Sequence, residues 1–106
     1  MPVLPVGVRK ETEIAAAVAD VERSLAPDVV RIRFAVEPDW KDDWAVFFRI
    51  VLRDEAGETK DRLWEVTEKV REALDSRLDF DALGLLRYHN FRSVSEQAVI
   101  KEQAWA

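Results

Sequence analysis

His89 is the only histidine in the chain, and Arg87, Tyr88, Asn90 and Arg92 are its near neighbours in sequence, with Ser93 and Ser95 a little beyond. A general base needs an orienting partner and a reacting group within hydrogen-bond reach. The residues around His89 show no such arrangement, because a catalytic triad is defined by geometry and two serines spaced two apart say nothing about it. No arginine-to-histidine spacing of the kind used by small metal-independent RNases is present either. The expectation is a structural or surface histidine. A small enzyme centred on His89, Tyr88 and Arg92 is the third of three functions considered.

Glu37, Asp39, Asp42 and Asp43 crowd a single turn. Hard cations bind oxygen clusters, Ca²⁺ taking about six to eight ligands. This turn lacks the D-x-[DN]-x-[DN]-G order and is interrupted by Trp40 and Lys41. It is expected to be a solvated, self-repelling turn that discourages contact between sheet edges, and Asp79 and Asp81 are helix-start residues. Cysteine is absent, so no disulfide or thiolate metal site can form. Gly7, Gly57 and Gly84 stand alone, which leaves no phosphate-cradling loop. No metal and no cofactor is expected.

Arg31, Arg33, Arg49 and Arg53 recur at a spacing that places them on one face of two strands, a basic strip on a chain of net charge −5. Trp40 lies in the polar turn between those strands, where it either folds back over a sheet edge and covers core or stands exposed as an interface anchor. Trp and Arg dominate the energetics of protein interfaces. The expected partner-binding residues are therefore Trp40, Arg31, Arg33 and Arg49, directed at a protein partner or at a second copy of the chain. The plain reading of the strip is a solvated face paired locally with Glu37 and nearby carboxylates, and the alternative function is a nucleic-acid-binding module using the Arg31/Arg33/Arg49 face. Only Phe47 interleaves those arginines, no RNP-like or G-x-x-G loop occurs, and an acidic chain repels phosphate at long range. The acid surplus is mostly C-terminal: residues 1–53 hold 8 Lys/Arg against 9 Asp/Glu, and residues 54–106 hold 8 against 12.

The elements that must position these groups follow from periodicity. Val30, Ile32, Phe34 and Val36 alternate along Val29–Glu37, and Trp44, Val46, Phe48, Ile50 and Leu52 alternate along Trp44–Arg53, which predicts a hairpin with one apolar face. Phe47 and Val51 make the second strand apolar on both faces, so it belongs at the centre of the sheet. A helix is predicted from near Thr12 to Ala26, with Ile14, Val18, Val21 and Leu25 inward and Pro27 after it. A second helix runs from about Lys60 to Arg77, with Leu63, Val66, Val70, Leu74 and Leu78 as its buried stripe and Trp64 at the margin. Trp64 and Trp105 are expected in or beside the core. Residues 54–58 are a turn in which Gly57 can take a positive φ. Asp79 caps a short turn, Phe80–Leu83, closed by Gly84.

A third strand is expected at Leu85–His89, and Ser93 with Glu96 has the spacing of a capping box for a last helix through Ala98, Lys101 and Trp105, although the β-branched Val99-Ile100 leaves an irregular or strand-like tail equally open. The first eight residues read as extended, with Pro2 and Pro5 opposing a helix. The order helix, strand, strand, helix, short turn, strand, helix (α-β-β-α-β-α) describes an α+β two-layer sandwich, helices on one face of a small, mostly antiparallel sheet.

At 106 residues, 48% hydrophobic and 35% charged, the chain reads as one globular domain, residues 1–106. The start Met1–Val8 lacks the basic and apolar segments of a secretory signal, and no apolar run approaches the roughly 20 residues that span a bilayer. A cytoplasmic protein without membrane association is expected.

Two segments, Asp43-Trp44-Ala45-Val46-Phe47-Phe48-Arg49-Ile50-Val51-Leu52 and Tyr88-His89-Asn90-Phe91-Arg92-Ser93-Val94-Ser95-Glu96-Gln97, resemble a group of small bacterial proteins of unassigned function, often encoded beside a second short gene. The chain departs from that group at Lys41-Asp42-Asp43, where the group has a glycine. The resemblance implies an accessory or antitoxin-like protein that acts through a partner, and it supplies no active site.

Overall fold

The computed structural model describes residues 4–106; residues 1–3, part of the segment expected to be extended, lie outside it. The chain forms α1 (Glu11–Ser24), β1 (Val29–Pro38), β2 (Trp44–Leu52), α2 (Lys60–Arg77), α3 (Phe80–Leu83), β3 (Leu86–Ser93) and α4 (Val94–Ile100). Short 3-10 turns occupy Val6–Arg9, Asp54–Gly57 and Gln103–Trp105. This is a small α+β fold in the order read from the sequence.

The sheet order is β1-β2-β3, with β2 central. β1 and β2 pair antiparallel, whereas β2 and β3 pair parallel, so the sheet is mixed rather than mostly antiparallel. The reason lies in the connection. An α-helix of 18 residues covers about 27 Å, close to the length of a nine-residue strand. α2 therefore carries the chain back to the start of β2, and β3 sets out in the same direction. Thr59 starts α2 by accepting the N–H of Arg62 at 3.1 Å, a cap that stabilises a helix by about 1 kcal/mol. β3 extends beyond the expected Leu85–His89 because the parallel ladder runs on to Leu52↔Ser93.

One face of the sheet meets α1 and α2. Ile14, Val18 and Val21 of α1 and Val66, Val70 and Leu74 of α2 pack with Ile32, Val46, Phe48, Ile50 and Leu52 in one cluster. Phe80 of α3 meets Phe48 edge-on with ring centroids 6.0 Å apart. Asp79 caps α3 through Ala82 N, and Gly84 closes it at φ 69, a conformation that excludes most side chains. Ser93 and Glu96 complete the expected capping box of α4.

The alternation in β1 carries one error. A register shift between Val29 and Arg31 puts Val29 in the core and turns Val30, 41% exposed, out to solvent. Gly57 does not adopt a positive φ, because residues 54–57 form a 3-10 turn instead. Trp64 is 67% exposed and Leu63 is also partly exposed; the stripe of α2 that meets the sheet is narrower than its apolar residues suggest. Residues 6–9 turn rather than extend. Lys101 (φ 57) stops α4, and Trp105 lies in the 3-10 turn that follows.

Val29→Asp should destabilise the protein by several kcal/mol by burying an unpaired charge, whereas Val30→Asp should cost under about 1 kcal/mol. Urea unfolding of the two variants checks this; equal losses would contradict the shift.

Candidate functional site: the outer face of the sheet

The face of the sheet away from α1 and α2 is built in rows by strand register. Arg31, Val51 and Arg92 lie across one row, Arg33, Arg49 and Asn90 across the next, and Ala35, Phe47 and Tyr88 across a third. Tertiary structure thus adds Tyr88, Asn90 and Arg92 from β3 to the residues predicted from the hairpin. The alternation within residues 86–93 was their only trace in the sequence, and the expected end of that strand at His89 concealed Asn90 and Arg92.

Half of this face is covered by the chain itself. Trp105, 5% exposed, packs under the guanidinium of Arg92, which stands 4.2 Å from its ring centroid. Arg31 Nε donates to the Trp105 carbonyl at 2.9 Å, and Arg33 Nε donates to the Ala106 carbonyl at 2.8 Å. Arg92 is anchored in turn by Glu102 at 2.7 Å. Val51, on the same face, is buried. Two of the four residues expected to bind a partner, Arg31 and Arg33, therefore hold residues 105–106 onto the sheet. Arg53 leaves the strip, because it bonds Asp28 at 2.8 Å together with Arg62 at 2.9 Å. Burial opposes ionisation of Asp28, but the Arg53 hydrogen bond and the Arg62 charge outweigh it and hold the carboxyl below its ordinary range.

The other half is open. Tyr88 stacks on Phe47 at 5.1 Å across the parallel ladder, and Trp40 leans on Tyr88 at 5.2 Å with its plane tilted by 47°. Trp40 is nevertheless 74% exposed. Its turn is fixed from within by Asp39, which is only 7% exposed. One Asp39 oxygen accepts the N–H groups of Lys41 and Asp43 at 2.9 and 3.0 Å, and the other accepts the Tyr88 hydroxyl at 2.7 Å. Asp42 supplies the left-handed residue of the turn at φ 62. The Tyr88 hydroxyl above all, with the two amides, keeps the Asp39 carboxyl below its ordinary range against the effect of burial. The same bond raises the Tyr88 hydroxyl. Arg49, the remaining expected residue, sits beside this aromatic group and approaches Glu37 at 3.9 Å.

The acidic turn thus spends its buried carboxylate on its own amides and on Tyr88. Among the described residues no three His, Cys, Asp or Glu side chains gather as a metal site would require. His89 lies on the opposite, helix-facing side of β3, stacked on Phe48 at 5.4 Å, and its buried Nε2 has no hydrogen-bond partner. Burial, then the positive charge of Arg71, pushes its pKa down to about 4. Ser93 caps α4, and Ser95 bonds Asp54 through both its N–H and its hydroxyl. Neither serine is joined to His89.

No family model, curated protein or solved structure matches the chain.

The depressed His89 pKa has a consequence for stability. The unfolded imidazole, near 6.5, takes up a proton before the folded one does. His89 therefore contributes stability above about pH 6.5 that is lost as pH falls through about 4. With a discount for partial exposure, the loss is on the order of 1–2 kcal/mol. Thermal melts of wild type and His89→Gln between these pH values should show a flatter profile for the variant; parallel profiles would contradict the buried neutral imidazole.

Proposed function

We propose that this chain is a non-enzymatic protein-interaction protein, of the accessory or antitoxin-like kind, whose open sheet face receives a protein partner around Trp40. Tyr88, Phe47 and Arg49 surround that anchor. The observation that carries the proposal is the combination of exposure and fixation at Trp40. This exposed indole is held in place by the Tyr88 stack and the Asp39-centred turn, so little side-chain freedom is lost on binding. Arg31 and Arg33 act in support, by fixing residues 105–106 beside the open half. A cytoplasmic setting belongs to the proposal. Among the described residues no helix is long and apolar enough to cross a membrane.

Affinity purification from the native host, followed by titration of the recovered partner with purified variants, tests the surface. Trp40→Ala should weaken binding by about 2 kcal/mol or more, roughly 30-fold, and Arg49→Ala by less. If both variants bind like wild type while remaining folded, the partner sits elsewhere.

The aromatic group favours one alternative, a single-stranded nucleic acid stacked on Trp40, Tyr88 and Phe47 with Arg49 on its backbone. Arg31, Arg33 and Arg92 have donors committed to residues 102–106, which leaves few cations for phosphate. Filter binding at low salt should show no retention of single- or double-stranded probes. Retention that falls steeply with salt and is lost in Trp40→Ala would replace the protein-partner proposal.

A further inference from the structure

β1 is an edge of the sheet: β2 lies on one side and no strand of the described residues lies on the other. Two contacts reveal which backbone groups face outward. The Ile32 N–H donates to Glu22 Oε2 at 2.9 Å, and the Ile32 carbonyl accepts from Arg33 Nη1 at 3.5 Å, so Ile32 turns its backbone away from β2. Hydrogen-bonding direction alternates along a strand, and Phe34 and Val36 therefore also face outward. Glu22 blocks the edge at Ile32, and Pro38 has no N–H to offer. What stays open is the stretch 34–36. Beside it, Ala15, Val18 and Ala19 of α1 flank Ile32 and Phe34 in a shallow groove of about 390 Å³, where small side chains allow close approach.

We propose that two copies of the chain join along β1, antiparallel about a two-fold axis through Ala35, into one sheet continuous across both copies. In this register Phe34 stands opposite Val36 of the second copy, and all the free outward groups of both residues are satisfied. Ala35 faces its own counterpart in a non-hydrogen-bonded pair, where side chains come closest and a methyl group fits. Arg33 stands opposite Glu37 of the second copy, and symmetry makes this pair twice. Ile32, whose N–H Glu22 already holds, falls opposite Pro38, which has none. Shifting the axis to Phe34 demands the occupied Ile32 N–H, and shifting it to Arg33 sets two arginines against each other. Glu37 is free to respond, since within its own chain it meets Arg49 only at 3.9 Å. The self-complementary charge pattern favours a second copy over a strand from another protein. This edge is separate from the Trp40 face, and Trp40→Ala should leave the self-pairing unchanged.

Sedimentation of the purified chain across a concentration series tests the proposal. A monomer–dimer equilibrium is expected. Glu37→Arg, which opposes like charges at both ends of the pairing, should raise the dissociation constant about tenfold or more. The double variant Arg33→Glu/Glu37→Arg should recover a large part of that loss, short of the wild-type value because Arg33→Glu also gives up the bond to the Ala106 carbonyl. In the wild type, amide exchange at Phe34 and Val36 should slow as concentration rises. A chain that stays monomeric at millimolar concentration overturns the proposal, and so does a dimer whose Phe34 and Val36 amides stay unprotected. Protection of those amides only when another protein is added would assign the edge to a strand from that protein, and likewise overturns self-pairing.

Discussion

Strand β2 runs through the middle of the sheet with apolar side chains on both faces, and the rest of the molecule is arranged around keeping both out of water. Val46, Phe48, Ile50 and Leu52 face α1 and α2, and each is almost wholly buried. Val51 on the other face is equally buried, although no long helix lies there. Burial of such a side chain stabilises the fold by about 1.5–3 kcal/mol, enough to organise a short segment around it. The segment is the end of the described chain, folded back so that Trp105 meets the outer face near Val51.

That return sets the roles of the arginines. A tryptophan laid on a half-polar sheet needs its neighbouring carbonyls satisfied, and Arg31 and Arg33 satisfy two of them. Arg92 stacks on the ring itself. Alternating arginines on an acidic chain look like a binding strip when read as sequence; three of the outer-face arginines are in fact internal fasteners. The proposed binding surface lies at the other end of the face, where Phe47, Tyr88 and Trp40 stack without a cover. Asp39 links this aromatic group to the hairpin turn, so the order of the turn and the posture of Trp40 depend on the same carboxylate.

The parallel entry of β3 is the second decisive feature. Because α2 returns the chain to the start of β2, Tyr88 arrives beside Phe47 and within reach of Asp39, while His89 is turned to the helices. In an antiparallel third strand the same residues would meet different partners. The two adjacent residues that look most chemical in the sequence are thereby separated by the sheet: Tyr88 supports a surface, and His89 is a neutral ring in a packed layer.

Local pattern was sufficient for much of the fold. Residue periodicity located both strands of the hairpin, the central position of β2, and the span of α2. Cap chemistry located α3 and the start of α4, because a cap is satisfied within a few residues of where it is written. The position of Trp40 in a polar turn left two postures open, folded over a sheet edge or exposed, and the fold leaves it 74% exposed. Tertiary structure alone decided the direction of β3, the shift at Val29 and the employment of Arg31, Arg33 and Arg53. Each of these depends on a residue distant in sequence: the length of α2 against that of β2, the pairing of Val29 with Leu52, the Trp105 and Ala106 carbonyls, the Asp28 carboxylate. Periodicity reports which face a residue occupies. Which distant group waits on that face is settled only when hydrogen bonds and buried area across the whole chain are satisfied together.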